Sequence, residues 1–548
     1  MSNENYEECK MQRQNGKEKR KPKGILRVVF SRTAVIGVSL LLQIYVLFAT
    51  FYWLSEYSTL INSIFIIMGA ITVIYILNEE NNASFKMVWM IPVLVIPVFG
   101  TLMFLFVNLQ LETKVMRKRL NLMERELSTH LKQDQEVVDK IVSSSPDSGE
   151  SGLVHYLNQA GGYPAYAGNG VKFFPLGEDK FAQMIIELKN AKKFIFMEYF
   201  IVTKSYMWDT ILEILKEKVK EGVEVRFMYD GMCSLVLLPY DYYKDLEEFG
   251  IRSHAFSQIK PVLSTYQNNR DHRKILVVDG KVAFTGGINL ADEYINRKVR
   301  FGHWKDTAVM VKGPAVKSFT LMFLKMWNLA EKKNNISKEE LYKYVDSVEY
   351  SDESKTDNGF DSGMHTGGMV TPYGDNPFSK ERIGRQVYID ILNRAKHYVH
   401  IMTPYLILDD EMTSALIYCA QRGVETVIIM PHIPDKKYAF LLAHSYYLEL
   451  IKNGVQIYEY TPGFVHAKIF VSDGIRASVG TINLDFRSLY LHFECAAYIY
   501  HNDVVQDIED DYQRTLSMSQ KITTETVNRY PLRQKIAGQI LRIIAPLM

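Results

Sequence analysis

Three apolar runs open the pattern of hydrophobic and polar positions. Residues 34 to 54 (AVIGVSLLLQIYVLFATFYWL), 58 to 77 (STLINSIFIIMGAITVIYIL) and 88 to 107 (VWMIPVLVIPVFGTLMFLFV) contain no Asp, Glu, Lys or Arg. At 1.5 Å rise per residue, about 20 such residues span the hydrocarbon core of a bilayer. The pattern therefore predicts an N-terminal transmembrane helical region over 34–107, with candidate helices 34–54, 58–77 and 88–107, behind a basic cytoplasmic leader, 1–33. Lys17, Lys19, Arg20, Lys21, Lys23, Arg27 and Arg32 precede the first run, and Lys114, Arg117, Lys118 and Arg119 follow the third. The positive-inside rule places both flanks in the cytoplasm, which three full crossings do not allow. Either the third run, interrupted by Pro92 and Pro97, is re-entrant, or the turn at Ser55 to Tyr57 joins a pair that does not fully cross.

Beyond residue 108 the pattern changes to a charged helical connector, 108–152, ending in SSSPDSGESG. Short β-branched runs then alternate with amphipathic helical segments, the signature of α/β packing. The alternation occurs twice in the same order: FIFMEYFIV (194–202) answers VHIMTPYLI (399–407), EGVEVRFMYDGM (221–232) answers RGVETVIIMPHI (422–433), and GIRSHAF (250–256) answers GVQIYEY (454–460). A fourth pair, DHRKILVVDGKVAFTGGINL (271–290) and VHAKIFVSDGIRASVGTINL (465–484), completes an internal duplication of period near 200. That period is too long for a solenoid and predicts two homologous domains, 170–345 and 376–525. They are joined by a polar, Gly-rich linker, 346–375, and followed by a C-terminal amphipathic segment, 526–548.

The chain has 548 residues, enough for three or four structural units. Lys+Arg at 64 against Asp+Glu at 62 leaves a net charge of +2, which argues against a chain built to coat nucleic acid. Cys9, Cys233, Cys419 and Cys495 lack the spacing of a disulfide framework or a zinc site.

The fourth matched pair carries the chemistry. Each copy reads His, one residue, Lys, four residues, Asp, six residues, Gly, two residues, Asn: His272, Lys274, Asp279, Gly286 and Asn289, then His466, Lys468, Asp473, Gly480 and Asn483. Five fixed types would coincide by chance in about one chain in ten thousand of this length, so two in-register copies are a designed feature. On a strand, residues two apart share a face, which presents imidazole and ammonium side by side. Asp279-Gly280 and Asp473-Gly474 then make a tight turn, and the returning strand brings the Asn back. Two halves joined about a pseudo-twofold axis would assemble two His, two Lys and two Asn in one cleft, without a carboxylate-rich metal cage. That inventory fits a phosphodiester: ammonium and amide groups hold phosphoryl oxygens, one imidazole attacks phosphorus, and the other serves as acid and base. Asp306 and Glu494, in the next strand of each half, are the candidates to hold the imidazole tautomers.

At these residues the chain resembles the phospholipase D superfamily, whose signature is the doubled HxKx4D with a following GxxN. DHRK, TGGIN, FGHWKDT (301–307) and GFVHAK are similar to bacterial cardiolipin synthases. The resemblance implies two phospholipase D-like α/β domains related by a pseudo-twofold, and transfer of a phosphatidyl group between two phosphatidylglycerol molecules with release of glycerol. It implies no metal and no cofactor, a multi-pass bacterial cell-membrane location, and anionic membrane lipid as partner rather than nucleic acid. By the same resemblance His272 is the nucleophile, His466 the acid and base, and Asn289 and Asn483 bind substrate. The family also counts Asp279 and Asp473 with the catalytic signature, although their place at a turn favours a structural part. Gly480-Thr481 stands where many members carry Gly-Ser. The alternative function is a phospholipase D-type hydrolase, or a transphosphatidylase with another acceptor alcohol.

Of the remaining histidines, His303, His400, His432 and His444 lack a Lys partner, as does His492, but His303 and His492 lie near the two carboxylates. Tyr199, Phe200 and Tyr405 are candidates for an acyl cleft. Ile536, Ile540 and Ile543 fall on one face of the C-terminal segment, which either lies on an anionic leaflet or packs as a helix.

Overall fold

The computed structural model describes residues 59–547 except 81, 109–110, 128–129, 145–148, 260–264 and 351–362, together with six positions between 41 and 52. The leader 1–33 and most of the run 34–54 lie outside these residues.

The duplication is legible in the strand order. The first half contains β1 (Gly170–Phe174), β2 (Phe194–Tyr199), β3 (Glu224–Asp230), β4 (Arg252–Phe256), β5 (Lys274–Val278), β6 (Val282–Gly286), β7 (His303–Lys305) and β8 (Ala308–Lys312). The second contains β9 (Met369–Asp375), β10 (Tyr398–Met402), β11 (Glu425–Pro431), β12 (Gln456–Tyr460), β13 (Gly463–Val465), β14 (Ile469–Ser472), β15 (Arg476–Gly480), β16 (Glu494–Tyr500) and β17 (Ser519–Ile522). The first sheet runs β1-β8-β6-β5-β2-β3-β4, and the second runs β9-β16-β15-β14-β10-β11-β12-β17. Apart from the added edge strand β17 the two orders are identical. Both are mixed: β2-β3-β4 and β10-β11-β12 are parallel, as helical crossovers require, while the motif hairpins β5-β6 and β14-β15 are antiparallel.

Period-two alternation divides each first-half strand between two cores. Phe194, Phe196, Ile275, Val277, Ala283 and Val309 face a core shared with the second half, continuous with Val399, Ile401, Val479 and Ala497. Ile195, Met197, Leu276, Val278, Phe284 and Met310 face a separate core on the other side. The helix Val316–Ala330 is buried along almost its whole length; Phe323 stacks on Phe196 with centroids 4.6 Å apart, and Trp327 is fully enclosed. A helix apolar all round is what such a position between layers demands.

The second domain begins earlier than the sequence pattern indicates. Met369–Asp375, inside the expected linker 346–375, is β9 and pairs antiparallel with β16 over its whole length. Its sequence, MVTPYGD, carries Pro372 and Gly374, which read as loop but are tolerated on a sheet edge. The expected connector is likewise part of the body: Leu120 and Met123 on the helix Leu111–Leu127 are fully buried, and Glu124 accepts hydrogen bonds from Lys325 and Asn376.

The N-terminal expectation requires a correction. Among the described residues no helix is long and apolar enough to cross a membrane. The run 58–77 forms the helix Thr59–Asn78, but the run 88–107 is broken at Ile96 into Ala83–Val95 and Pro97–Asn108. Pro97 disfavours a helical residue before it, and Ile96 is accordingly extended (φ −134°, ψ 76°). The N-terminal helices dock on the second domain, where Phe85 meets Phe486 and Tyr490 edge-on at 5.6 and 5.3 Å and Asn82 donates to the Tyr490 hydroxyl. The C-terminal helix Leu532–Ile544 packs against Lys437–Lys452, with Gly538 close to Leu441, and leaves Ile536, Ile540 and Ile543 exposed.

The signature aspartates are turn residues. Asp279 and Asp473 sit at φ 54° and 55°, each followed by a glycine at φ 69° or 67°, the backbone of a two-residue hairpin turn. The Asp279 carboxylate accepts from the backbone N–H groups of Lys192, Lys193 and Phe194 at 2.7 to 2.8 Å, and Asp473 accepts from Lys396, His397 and Tyr398 at 2.9 to 3.0 Å. Each thus fastens the motif hairpin to the start of the central strand β2 or β10, at the far end of its strand from the histidine. Asp279→Ala is expected to lower unfolding free energy by about 2 to 3 kcal/mol, the scale for hydrogen bonds to a charged acceptor. Turnover per folded molecule should stay within about tenfold of wild type, because the hydrogen bonds hold a turn rather than the reacting groups. Denaturant titration alongside active-fraction kinetics checks both halves of that expectation.

Candidate active site

Each histidine enters the site on a chain segment paired with the opposite half. The His272 N–H donates to Phe493 O and the His466 N–H donates to Lys305 O. Around them Asp271 bridges to Phe493, and β7 pairs in parallel with β13, Trp304 opposite Phe464. These crossed pairings, repeated about the pseudo-twofold, decide which carboxylate meets which imidazole. His272 Nδ1 lies 2.8 Å from Glu494 Oε1, and His466 Nδ1 lies 2.6 Å from Asp306 Oδ2. Each imidazole is therefore backed by a carboxylate from the opposite half. Asp306 also lies between β7 and β8 rather than within a strand.

The signature glycines make this approach possible. A Cβ on Gly286 would stand 2.4 Å from Thr307 O, and one on Gly480 would stand 2.3 Å from the Ala496 Cβ. Only a residue without a side chain lets the returning strand lie against the segment that carries the carboxylate. At the next position the halves differ: a Cβ on Gly287 would meet Asp306 Oδ1 at 2.0 Å, whereas Thr481 donates its hydroxyl to Glu494 Oε2. The Thr that replaces the common Ser thus retains the hydroxyl and uses it to orient a carboxylate.

The two lysines are fully buried, and the Nζ of each donates to the carbonyl of the histidine two residues before it. Burial pushes the Lys274 ammonium down to about 8, against the pull of Glu494 and Asp306. Burial, helped by Lys274, pushes Lys468 down to about 7, while Asp306 and Glu494 oppose the change. Lys274 and Lys468 thus feel both carboxylates, so the four charges form one cluster across the halves. Burial also keeps both imidazoles neutral: His272 falls well below the usual histidine range despite Glu494, and His466 falls to about 4 despite Asp306. Burial pushes both carboxylates up, but the combined pull of His272 and His492 on Glu494, and of His466, Lys468 and the Thr307 N–H on Asp306, leaves each below the usual carboxylate range. A neutral imidazole that gives its Nδ1–H to a carboxylate keeps its lone pair on Nε2, the atom available to attack.

Asn289 is held by the protein at both ends of its amide, Asn483 at one. Asn289 accepts from the Ile201 N–H and donates to the Tyr294 hydroxyl, and the Tyr294 ring lies 5.5 Å from His466. Asn483 donates to Ser488, and its carbonyl oxygen is buried without a partner among the described residues. Phe200 packs edge-on against His272 at 4.8 Å, whereas Tyr199 is core and Tyr405 donates to Asp435. His303, His400, His432 and His444 contact Tyr460, Glu509 or Glu459. Sequence reading missed Lys180, a fully buried lysine pushed down to about 7 by burial and drawn up by Asp306. Its helix has no motif, and its counterpart in the second half is glycine, so the repeat gave no signal.

Known proteins resemble this chain in sequence and fold. The family model described as "Cardiolipin synthase, PLD-like domain" matches residues 184–327 and 388–516, one copy in each half. The chain is 46% identical over 477 residues to an uncharacterized protein of Streptococcus mutans serotype c, covering 87% of this chain and 99% of that one. It is 31% identical over 471 residues to cardiolipin synthase 2 of Bacillus anthracis, covering 86% and 88% respectively. Among solved structures, phosphatidylserine synthase from Haemophilus influenzae superposes with a TM-score of 0.53 over 73% of this chain and 99% of that chain, at 15% identity, a likeness of fold. Doubled motif, duplicated sheet and full-length relatives agree, and the chain belongs to the cardiolipin synthase family of phospholipid-modifying, phospholipase D-like proteins.

Proposed function

We propose that the protein makes cardiolipin from two phosphatidylglycerol molecules. The observation that carries this reading is the pair of imidazoles, each backed through Nδ1 by a carboxylate from the other half, beside two buried lysines. His272 Nε2 attacks the phosphorus of the first lipid, forming an N–P bond. The P–O bond to the glycerol headgroup breaks, and His466, protonated as the anionic substrate enters, gives its proton to the departing glycerol. The glycerol hydroxyl of a second phosphatidylglycerol then returns a proton to His466 and attacks phosphorus, breaking the N–P bond and releasing cardiolipin. Lys274 and Lys468 neutralise the phosphoryl oxygens, and Asn289 and Asn483 fix the loops around them.

Lipid access follows from the surface. Ile64, Ile66, Ile67, Ile71 and Ile74 of Thr59–Asn78 face outward, as do Ile536, Ile540 and Ile543. The N-terminal helices dock through Phe486 and Tyr490, between Asn483 and Glu494, which sets the apolar surface beside a site-bearing loop. These surfaces would engage the cell membrane.

The test is to give the protein phosphatidylglycerol alone and identify the products by mass spectrometry. A four-acyl lipid with free glycerol supports the proposal; phosphatidic acid instead identifies a hydrolase. Because the lysines titrate near 7 to 8, kcat/KM should fall as pH rises through that range, as the free enzyme loses the charges that hold the phosphodiester. A profile that stays flat to pH 10 would contradict this role for Lys274 and Lys468.

A further inference from the structure

His492 breaks the symmetry of the site. It stands two residues before Glu494, as Trp304 stands two residues before Asp306, so the pseudo-twofold sets an imidazole beside His272 where His466 has an indole. The His492 side chain is more than nine-tenths buried, and among the described residues neither ring nitrogen has a partner within hydrogen-bond distance. Burying an imidazole in such a place has a desolvation cost, which the Glu494 carboxylate offsets only from a distance. Its Nδ1 points toward a particular oxygen: Glu494 Oε1 is 3.7 Å away, beyond hydrogen-bond reach, and the same oxygen is 2.8 Å from His272 Nδ1.

Ligand atoms of His272, His492 and Glu494 all lie within 4.8 Å of one another. A tetrahedral zinc site with bonds of roughly 2.0 to 2.1 Å has donors about 3.3 Å apart. The two separations to Glu494, 2.8 and 3.7 Å, bracket that value and the third is at most 4.8 Å, so side-chain movements of about an ångström would close the set around an ion. Two imidazoles and a carboxylate with an open fourth position are a donor set suited to zinc and its neighbours rather than to magnesium or calcium.

We propose that His272, His492 and Glu494 form an inhibitory binding site for a divalent transition cation such as Zn²⁺. The ion takes the lone pair of His272 Nδ1, and the ring proton that Nδ1 gave to Glu494 moves to Nε2. No atom is lost, but the Nε2 lone pair is now protonated and unable to attack phosphorus. Binding stands apart from the proposed function, whereas the inhibition rests on it, with His272 as nucleophile.

The experiment uses the full chain in detergent micelles, freed of metal by chelator, and titrated with Co²⁺ as a visible-absorbing stand-in for Zn²⁺. Wild type is expected to take up one equivalent with a tetrahedral absorption band that Zn²⁺ abolishes, and Zn²⁺ should stop lipid transfer. His492→Asn should bind at least about tenfold more weakly, lose the band and escape inhibition, while its metal-free activity stays at the wild-type level. His492→Gln provides the second variant, and thermal melts confirm that both are folded. A wild-type protein without the band, or a His492→Asn protein that binds equally well, overturns the site. Binding without inhibition overturns the regulatory role, and an inactive protein that still shows the His492-dependent band overturns the functional reading while leaving the site intact.

Discussion

His272→Ala and His466→Ala are each expected to reduce cardiolipin formation by about four orders of magnitude or more, the loss seen when a member of a nucleophile and base pair is removed. Both variants should fold, since neither imidazole supplies the crossed backbone pairing that joins the halves; those bonds are main-chain, from His272 N–H to Phe493 O and from His466 N–H to Lys305 O. The two losses separate with a phosphodiester whose leaving group is p-nitrophenolate, which departs without a proton. His466→Ala should then still acquire a covalent, acid-labile phosphatidyl label, while His272→Ala acquires none. Mass spectrometry of the quenched protein reads the label directly. A label on the His272→Ala protein would assign the nucleophile to His466 instead.

Glu494→Gln and Asp306→Asn carry the next largest effects, about two to four orders of magnitude in kcat, because an amide holds its histidine in the wrong tautomer while the geometry survives. Their distinct consequences test the exchange of carboxylates between halves. Glu494 backs His272, so Glu494→Gln should suppress labelling even with the activated substrate. Asp306 backs His466, so Asp306→Asn should label nearly as fast as wild type and fail with phosphatidylglycerol, whose leaving glycerol needs a proton. The reverse pattern would mean that each carboxylate serves the histidine of its own half. Thr481→Val should show a milder form of the Glu494→Gln defect, as it removes one hydroxyl donor to that carboxylate.

Much of this protein was legible from local pattern. Fixed spacing identified His272, Lys274, Asn289 and their second-half counterparts, because strand periodicity is a property of neighbouring residues. The duplication was visible for the same reason, since each half repeats the same short-range instructions for β5-β6 and β14-β15. The turn position of Asp279 and Asp473 could be read from the Asp-Gly pairs, although the three backbone donors each accepts come from residues 75 to 87 positions away.

Where local pattern failed, the deciding contact was distant in the chain. The strand β9 looked like linker because Pro372 and Gly374 are poor strand formers, and only an edge position beside β16 makes them acceptable. Pro92 and Pro97 marked the third apolar run as interrupted, but only the structure puts the break at Ile96, the residue that Pro97 restricts, while Pro92 stays inside a helix. Lys180 has no motif; what marks it is burial near Asp306, brought from another element.

By itself the sequence determined the doubled architecture and the two in-register copies of the His, Lys and Asn pattern, both written in local runs of residues. The tertiary structure alone decided that Glu494 serves His272 and Asp306 serves His466, and that His492 faces the first pair. Those partners lie 222, 160 and 220 positions apart or arise from the packing of one half on the other, and no local propensity encodes which face of a sheet its twin will meet.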